Sequence, residues 1–412
     1  MNPGACFRVN SLNAIFAALA LLSLALVLWQ WLAARRFPLH RRVADPSFAS
    51  AVTLLKPLKG CDETTAASLQ SWFHQNYPGP VQILFGVAEA NDPVCKIVGG
   101  LIEQNPGRDI QLVICGETLG TNGKISTLLQ LERLAKYELI LVSDADVRVP
   151  LDFLANAAAF LRDEQTALVN CFYRLANPVT TAMRWEAIAI NADFWSQVLQ
   201  AASLKPLDFA LGAAILVRRQ ALAQIGGFKS LANCLADDYQ LGHRIAEKGH
   251  RIALCPVVIE CWDAPMNWRD VWHHQLRWAR TIRSCQPLPY FFSILANATF
   301  WPLLWLISEL PGLSVKTGQI TDYGFFQTSG SGVGIPCGMM VAIALLLIRM
   351  VLVQNLQRRF TPDRKLVSPF WLVPVKDLLQ VALWFGAFTG NTVEWRGQRM
   401  KMSGDGTLLE TK

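Results

Sequence analysis

The stretch Leu139-Ile140-Leu141-Val142-Ser143-Asp144-Ala145-Asp146 constrains this chain more than any other. A short apolar run that ends in carboxylates reads as a buried parallel strand whose carboxyl end opens into a site, because ligands of α/β sheets gather there. Asp144 and Asp146 are two residues apart, so an extended backbone aims both at one side. Converging carboxylates repel unless a positive charge sits between them, and the simplest candidate is a divalent cation holding a polyphosphate. The same residues also suit a solvated acidic turn, so the choice falls to the rest of the chain.

With 412 residues, 52% of them hydrophobic, the chain is too long for one small domain and too apolar for an ordinary soluble enzyme. It reads as a soluble core plus membrane segments. The net charge of +7 lies in clusters beside apolar stretches: Arg35, Arg36, Arg41 and Arg42 after the first, Arg277, Arg280 and Arg283 before the second, and Arg358, Arg359, Arg364 and Lys365 after the third. Arg396, Arg399 and Lys401 close the chain. That placement favours anionic headgroups and topology setting over nucleic acid, which is excluded as a partner. The ten cysteines are scattered without CxxC pairs or zinc spacing and read as reduced, packed residues. His243, His250, His273 and His274 also lack metal-ligand spacing.

Residues 12–34 carry no charge and meet the ~20 residues a helix needs to cross the hydrocarbon core. The apolar region of a cleaved signal peptide is shorter, at about 7 to 15 residues. The arginines that follow hold the carboxyl end of this span in the cytoplasm, so what comes next is cytosolic. Residues 291–311 and 333–353 are the next spanning candidates, separated by a polar Gly/Ser-rich loop. The stretch 370–390 contains Lys376 and Asp377, so it either lies in the interface or re-enters. The expected division is an anchor with a basic juxtamembrane segment over 1–45, a soluble domain over 46–288 and a membrane region with a basic tail over 289–412.

Within the soluble part, strands at 52–55, 81–87 and 110–114 alternate with helices at 63–76, through Glu103 and at 125–136. Alternation with short connections predicts an α/β fold with a doubly wound, mostly parallel sheet. Lys56, Asp92, Asp144 and Asp146 then fall at strand ends and line one crevice. A helix over 151–161, a strand over 167–172, a helix over 180–204 and a strand over 210–217 follow. Trp185, Phe194 and Trp195 on the long helix suit either core packing or an apolar acceptor groove. Asp237 and Asp238 open another helix, and only one of them can cap its amides. His274, Arg277 and Trp278, at i, i+3 and i+4, share a helix face that suits an interfacial anchor or a grip on a diphosphate.

In order, Lys56-Pro57-Leu58-Lys59-Gly60, Asn76-Tyr77-Pro78, Asn91-Asp92-Pro93, Asn122-Gly123-Lys124-Ile125-Ser126, Asp144-Ala145-Asp146, Asp237-Asp238-Tyr239 and His274-x-x-Arg277-Trp278 resemble the ceramide glucosyltransferases and their bacterial relatives, including hopanoid-associated glycosyltransferases. The closing Glu394-Trp395-Arg396-Gly397-x-Arg399 is similar too. The resemblance is strong over roughly 50–285 and loose over the membrane tail. It implies a GT-A fold, a UDP-sugar donor, Mg²⁺ or Mn²⁺, and inversion at the anomeric carbon as a lipid hydroxyl is glycosylated. By position in the motifs, Asp92 contacts the uridine part of the donor, Asp144 and Asp146 hold the metal and diphosphate, and Asp238 is the base. Lys56, Lys124 and Asp237 join Asp92 and Asp144 on the donor side, while His274, Arg277 and Trp278 complete the catalytic set. His274 departs from the motif, which has Gln or Arg there, and this weakens a ceramide acceptor more than it weakens transfer.

The expectation is therefore a membrane enzyme, of a bacterial inner membrane with its catalytic domain in the cytosol, that moves a hexose, glucose, from a UDP-sugar to a ceramide-like lipid. The alternatives are an N-acetylglucosaminyltransferase acting on a hopanoid or other lipid, a processive polysaccharide synthase, and a non-catalytic sugar-nucleotide-binding scaffold. Oligomeric state is left open.

Overall fold

The computed structural model describes residues 3–45, 47–310, 337–395, 398–403 and 406–409. Eight strands form its central sheet: β1 (Val52–Leu58), β2 (Val81–Val87), β3 (Asp109–Ile114), β4 (Leu139–Ser143), β5 (Val147–Arg148), β6 (Thr166–Leu175), β7 (Ala214–Arg218) and β8 (Arg251–Cys261). Their order is β3-β2-β1-β4-β7-β6-β8-β5. The run β3-β2-β1-β4 is parallel throughout, as the alternation of strands and helices requires. β1 and β4 are buried along their whole length, so both faces are covered and both strands read as continuous apolar runs. The chain leaves β1 towards β2 on one side and returns as β4 on the other, and this switch point opens a crevice outside the carboxyl ends of the two strands.

Beyond β4 the sheet is mixed. β7 runs antiparallel to both β4 and β6, β8 is parallel to β6, and the two-residue β5 pairs antiparallel at the edge. The helix expected over 63–76 shortens to Thr65–Gln70, and the long helix expected over 180–204 is three pieces, Thr181–Ile188, a π-helical turn Ala189–Phe194, and Trp195–Ala202. Trp185 and Trp195 are buried core residues, with Trp195 stacked on Phe360 at 4.9 Å.

Among the described residues two helices are long and apolar enough to cross a membrane, Leu12–Arg36 and Cys337–Phe360. A third span exists if Pro287–Ala296 and Phe300–Ser308, bent by 47° at their junction, count as one. The Gly/Ser-rich loop expected between the later spans, and Arg396 and Gly397 of the closing motif, lie outside the described residues. The stretch expected to be ambiguous is a helix, Leu372–Phe388, of 17 residues. At 1.5 Å per residue it is about 25 Å long, short of the ~30 Å hydrocarbon core.

Lys376 and Asp377 on that helix face inward. Arg349, from the Cys337–Phe360 helix, lies 2.9 Å from Asp193 Oδ2 and 2.8 Å from Asp377 Oδ1. Lys376 Nζ also bonds Asp193, and Thr299 Oγ1 donates to Asp377 Oδ2 at 2.6 Å. Two cations and two anions, all buried, cancel one another and satisfy the desolvation demand that either sign alone would leave unmet.

A small antiparallel sheet, β9 (Thr392–Trp395), β10 (Gln398–Met402) and β11 (Leu408–Leu409), packs Val393, Met400, Met402 and Leu408 on Leu235. Leu408 N donates to Asn233 O at 2.7 Å and Leu235 N to Gly406 O at 3.2 Å. This bracing fixes the segment that leads into Asp237.

Arg349→Leu leaves two buried carboxylates against one ammonium. We expect a stability loss of about 3–5 kcal/mol, read as a lower apparent Tm in detergent, with Arg349→Lys milder; an unchanged Tm for both would show the cluster to be dispensable.

Candidate active site

The carboxyl ends of β1 and β4 bring the first residues together. Lys56, near the end of β1, is fully buried and donates from Nζ to the Asp144 carbonyl and to Ser143 Oγ at 3.2 Å. Its ammonium sits 5.1 Å from the centre of the Trp72 ring. Burial pushes its pKa down to about 7, against the pull of Asp146 and Asp144. Lys56 thus props the backbone that carries the carboxylates from beneath.

Asn122 caps the helix Gly123–Glu132, its side chain accepting from Ile125 N at 3.1 Å. The same side chain donates to Cys234 O at 2.8 Å and to Asp237 Oδ1 at 3.4 Å, and Asn122 N donates to Ala232 O at 2.9 Å. A Cβ at Gly120 would lie 2.5 Å from Ala232 O, so only glycine permits this approach of the two loops. The lacing sets Lys124 between the strand end and the Asp237–Glu247 helix. Its Nζ is 2.8 Å from Asp144 Oδ1 and 3.2 Å from Asp237 Oδ2. Burial alone would weaken this ammonium, but Asp144 and Asp237, with Asp238 behind them, outweigh it and raise its pKa.

Asp238 opens the same helix and accepts from Tyr239 N at 2.8 Å, while Asp237 turns to Lys124 and Asn122. The pair therefore splits, one member on a first-turn amide and the other in the ion-pair cluster. Asp238 rests on Gly212, where a Cβ would sit 2.5 Å from its Oδ2. Burial first, then the neighbouring Asp237, raise its pKa to about 6 against the opposing pull of Lys124.

Arg277, on the helix Trp268–Cys285, completes this ring. Burial lowers its pKa, and Asp238 and Asp144 are the first charges that offset it; a guanidinium stays charged regardless. His274 and Trp278 flank it with ring centres 4.8 Å apart. Asp146 is held by its carbonyl, which accepts from Trp262 N at 3.1 Å. Asp92 stands further out, where its carboxylate accepts from Gly60 N at 2.9 and 3.1 Å and from Val94 N at 3.0 Å, tying the loop after β1 to the helix after β2.

The structure gathers Lys124, Asp144, Asp237, Asp238 and Arg277 into one cluster, with Lys56 below and Asp92 at its rim. Two residues not anticipated from sequence adjoin it. Glu186 lies on the helix Thr181–Ile188, and its Oε1 accepts from His274 Nδ1 at 2.7 Å. Asp263 has a pKa raised to about 7 by burial and by Asp146. Neither stands in a motif; only proximity in the fold reveals them.

A mixed, mostly parallel sheet that presents carboxylates at its β1/β4 switch defines a GT-A-type glycosyltransferase. The chain belongs to glycosyl transferase family 21, whose family model matches residues 15–408. It is 23% identical over 384 residues to ceramide glucosyltransferase 1 of Caenorhabditis elegans, an alignment covering 91% of this chain and 77% of that protein. With ceramide glucosyltransferase 3 of the same organism it shares 26% over 220 residues, which is 53% of this chain and about half, 48%, of that protein's length. Among solved structures, the mannosyltransferase PcManGT from Pyrobaculum calidifontis, in complex with GDP-Man and Mn²⁺, matches in fold with a TM-score of 0.52 at 19% identity, over 92% of this chain and 97% of that one.

Gly212→Ala intrudes on Asp238 without touching any other cluster member. A displacement of about 1 Å costs on the order of 10²-fold; we expect that fall in kcat for glycosyl transfer with an unchanged circular dichroism spectrum, and wild-type turnover would show that Asp238 need not sit on Gly212.

Proposed function

We propose that this protein is an inverting glycosyltransferase that moves a hexose, glucose, from a UDP-sugar to the hydroxyl of a ceramide-like membrane lipid. The observation that carries the reading is the cluster itself, in which Asp238, with a pKa raised to about 6, stands with Asp144 around the Lys124 ammonium and beside Arg277.

Asp144 and Asp146 supply hard oxygen donors, which suit Mg²⁺ or Mn²⁺. Among the described residues no group of three or more His, Cys, Asp or Glu side chains could hold a metal ion; a cation bound here would take one or two carboxylates and fill its shell with substrate phosphates. When bound, such an ion neutralises the departing diphosphate. Lys124 and Arg277 take up the remaining negative charge, and Asp238 receives the proton of the attacking hydroxyl. Direct attack in one displacement inverts the anomeric centre and needs no enzyme nucleophile.

Both spans support a cytosolic site. Each ends in a pair of arginines on the side of the catalytic sheet, Arg35 and Arg36 for the first and Arg358 and Arg359 for the second.

The test is transfer from radiolabelled UDP-glucose and UDP-N-acetylglucosamine into membrane lipid by purified protein. Label from UDP-glucose is expected in organic-extractable lipid. Label in high-molecular-mass material would mean a polymer synthase, and binding of donor without transfer would mean a scaffold. Asp238→Asn should lower kcat by about 10²–10⁴-fold while donor binding persists. Because the base works only when ionised and its pKa is raised, wild-type kcat/KM should reach its plateau about a unit above pH 6, be halved near pH 6 and fall further below it. Chelation with EDTA should abolish transfer and added Mn²⁺ or Mg²⁺ restore it; activity indifferent to EDTA would remove the metal from the reading.

A further inference from the structure

Glu186 is a buried carboxylate that the reaction described above does not use. It is 1% exposed, and its Oε1 accepts from two successive side chains of one helix, His274 Nδ1 at 2.7 Å and Gln275 Nε2 at 2.8 Å. Its Oε2 is buried and has no hydrogen-bond partner among the described residues. A carboxylate in that position is costly unless it has a purpose. Its evident effect is on the imidazole. With Nδ1 committed to Glu186, Nε2 is the nitrogen left to meet a ligand, and it bonds to none of the described residues although the side chain is 27% exposed.

The frame around this pair is rigid. Thr180 caps the helix bearing Glu186, accepting from Met183 N at 3.1 Å, and donates to Met266 O at 2.7 Å. Asn177 exchanges two bonds with the Asp263 backbone, at 2.7 and 3.1 Å. Asn267 then forms a capping box that starts the helix bearing His274. Three elements are thereby locked about one loop, so the angle of the ring is set by backbone as well as by Glu186.

What the ring faces follows from its neighbours. The diphosphate side of the crevice is already served by Lys124 and Arg277. His274 lies a turn before Arg277, at the head of an aromatic strip in which Trp278 follows at 4.8 Å and Phe194 at 6.4 Å from Trp278. A polar nitrogen at the head of an apolar strip matches a molecule with one polar end and a long apolar body, and not a sugar nucleotide.

We propose that Glu186 is a positioning residue for the acceptor: it holds His274 by Nδ1 and so presents Nε2 to the polar end of the lipid, whose apolar body lies along Trp278 and Phe194. The inference rests on the lipid glycosyltransferase reading and adds to it a residue that acts only on acceptor binding.

The experiment measures acceptor KM, kcat, donor KM and acceptor-independent hydrolysis of UDP-glucose for the wild type, His274→Ala, Glu186→Ala, Glu186→Gln and the double alanine variant, using the full chain in detergent with a short-chain acceptor lipid. Loss of one oriented hydrogen bond is worth about tenfold. His274→Ala and Glu186→Ala should each raise acceptor KM by about that factor, and Glu186→Ala should leave donor KM and hydrolysis unchanged. The double variant should be no worse than either single one, because both remove the same contact. Glu186→Gln, which keeps a carbonyl for Nδ1–H, should regain most of the loss, and His274→Ala, which removes the ring itself, tests the acceptor contact even if Glu186→Ala does not fold. Effects that add in the double variant, a moved donor KM in Glu186→Ala, or an acceptor KM left unchanged by His274→Ala would overturn the proposal while wild-type transfer stands. Absence of wild-type transfer would overturn the lipid glycosyltransferase reading, and this inference with it.

Discussion

The Lys124 ammonium is the interaction on which the site depends. Asp144 comes from the end of β4, while Asp237 and Asp238 come from a helix that begins 93 positions later in the chain. Three carboxylates in one partly buried crevice would drive their supporting elements apart, and Lys124 binds two of them directly. Its own position is set two residues earlier, by Asn122, which caps the Lys124 helix and bonds the segment leading to Asp237. A cap, a cation and the Asp237–Glu247 helix are thus one connected unit, so the motif Asn122-Gly123-Lys124 couples the two halves of the candidate site.

The part of this arrangement legible in the sequence is the part built from local chemistry. The apolar run ending in Asp144 predicts β4, and the strand and helix alternation predicts β3-β2-β1-β4, because parallel strands joined by short helical crossovers leave few other solutions. The other half is harder to read. β8 contains Pro256, which argues against a central strand; the structure absorbs it at a register shift where Cys171 pairs with Cys255 but Tyr173 pairs with Ile259. β5 has two residues, too few for any periodicity. The split roles of Asp237 and Asp238 were visible only as a surplus of capping groups, and Glu186 carries no local signal because its partner lies 88 residues away.

The helix Leu372–Phe388 shows the same limit from the opposite direction. From sequence, Lys376 and Asp377 in an apolar stretch point to an interface or a re-entrant segment. The structure shows what the sequence could not, that both face inward and bond to Arg349 and Asp193. Hydropathy registers that charge is present but not where its partner sits, and here the partners lie on two other helices.

The π-helical turn at Ala189–Phe194 explains how one helical run serves both regions. Glu186 and Asp193 are seven residues apart, and a regular α-helix would set them within about 20° of the same face. Such a helix would aim both carboxylates at His274 and leave Arg349 with a single anion, or aim both at Arg349 and leave His274 with none. Widening the turn between them rotates Asp193 away from the face that Glu186 occupies. Each carboxylate then meets its own cation or ring, with Asp193 on Arg349 and Lys376 and Glu186 on His274. The irregularity costs regular backbone hydrogen bonding over one turn. In return the helix Cys337–Phe360 and the candidate site are both tied to one helical run, the first through Asp193 and the second through Glu186.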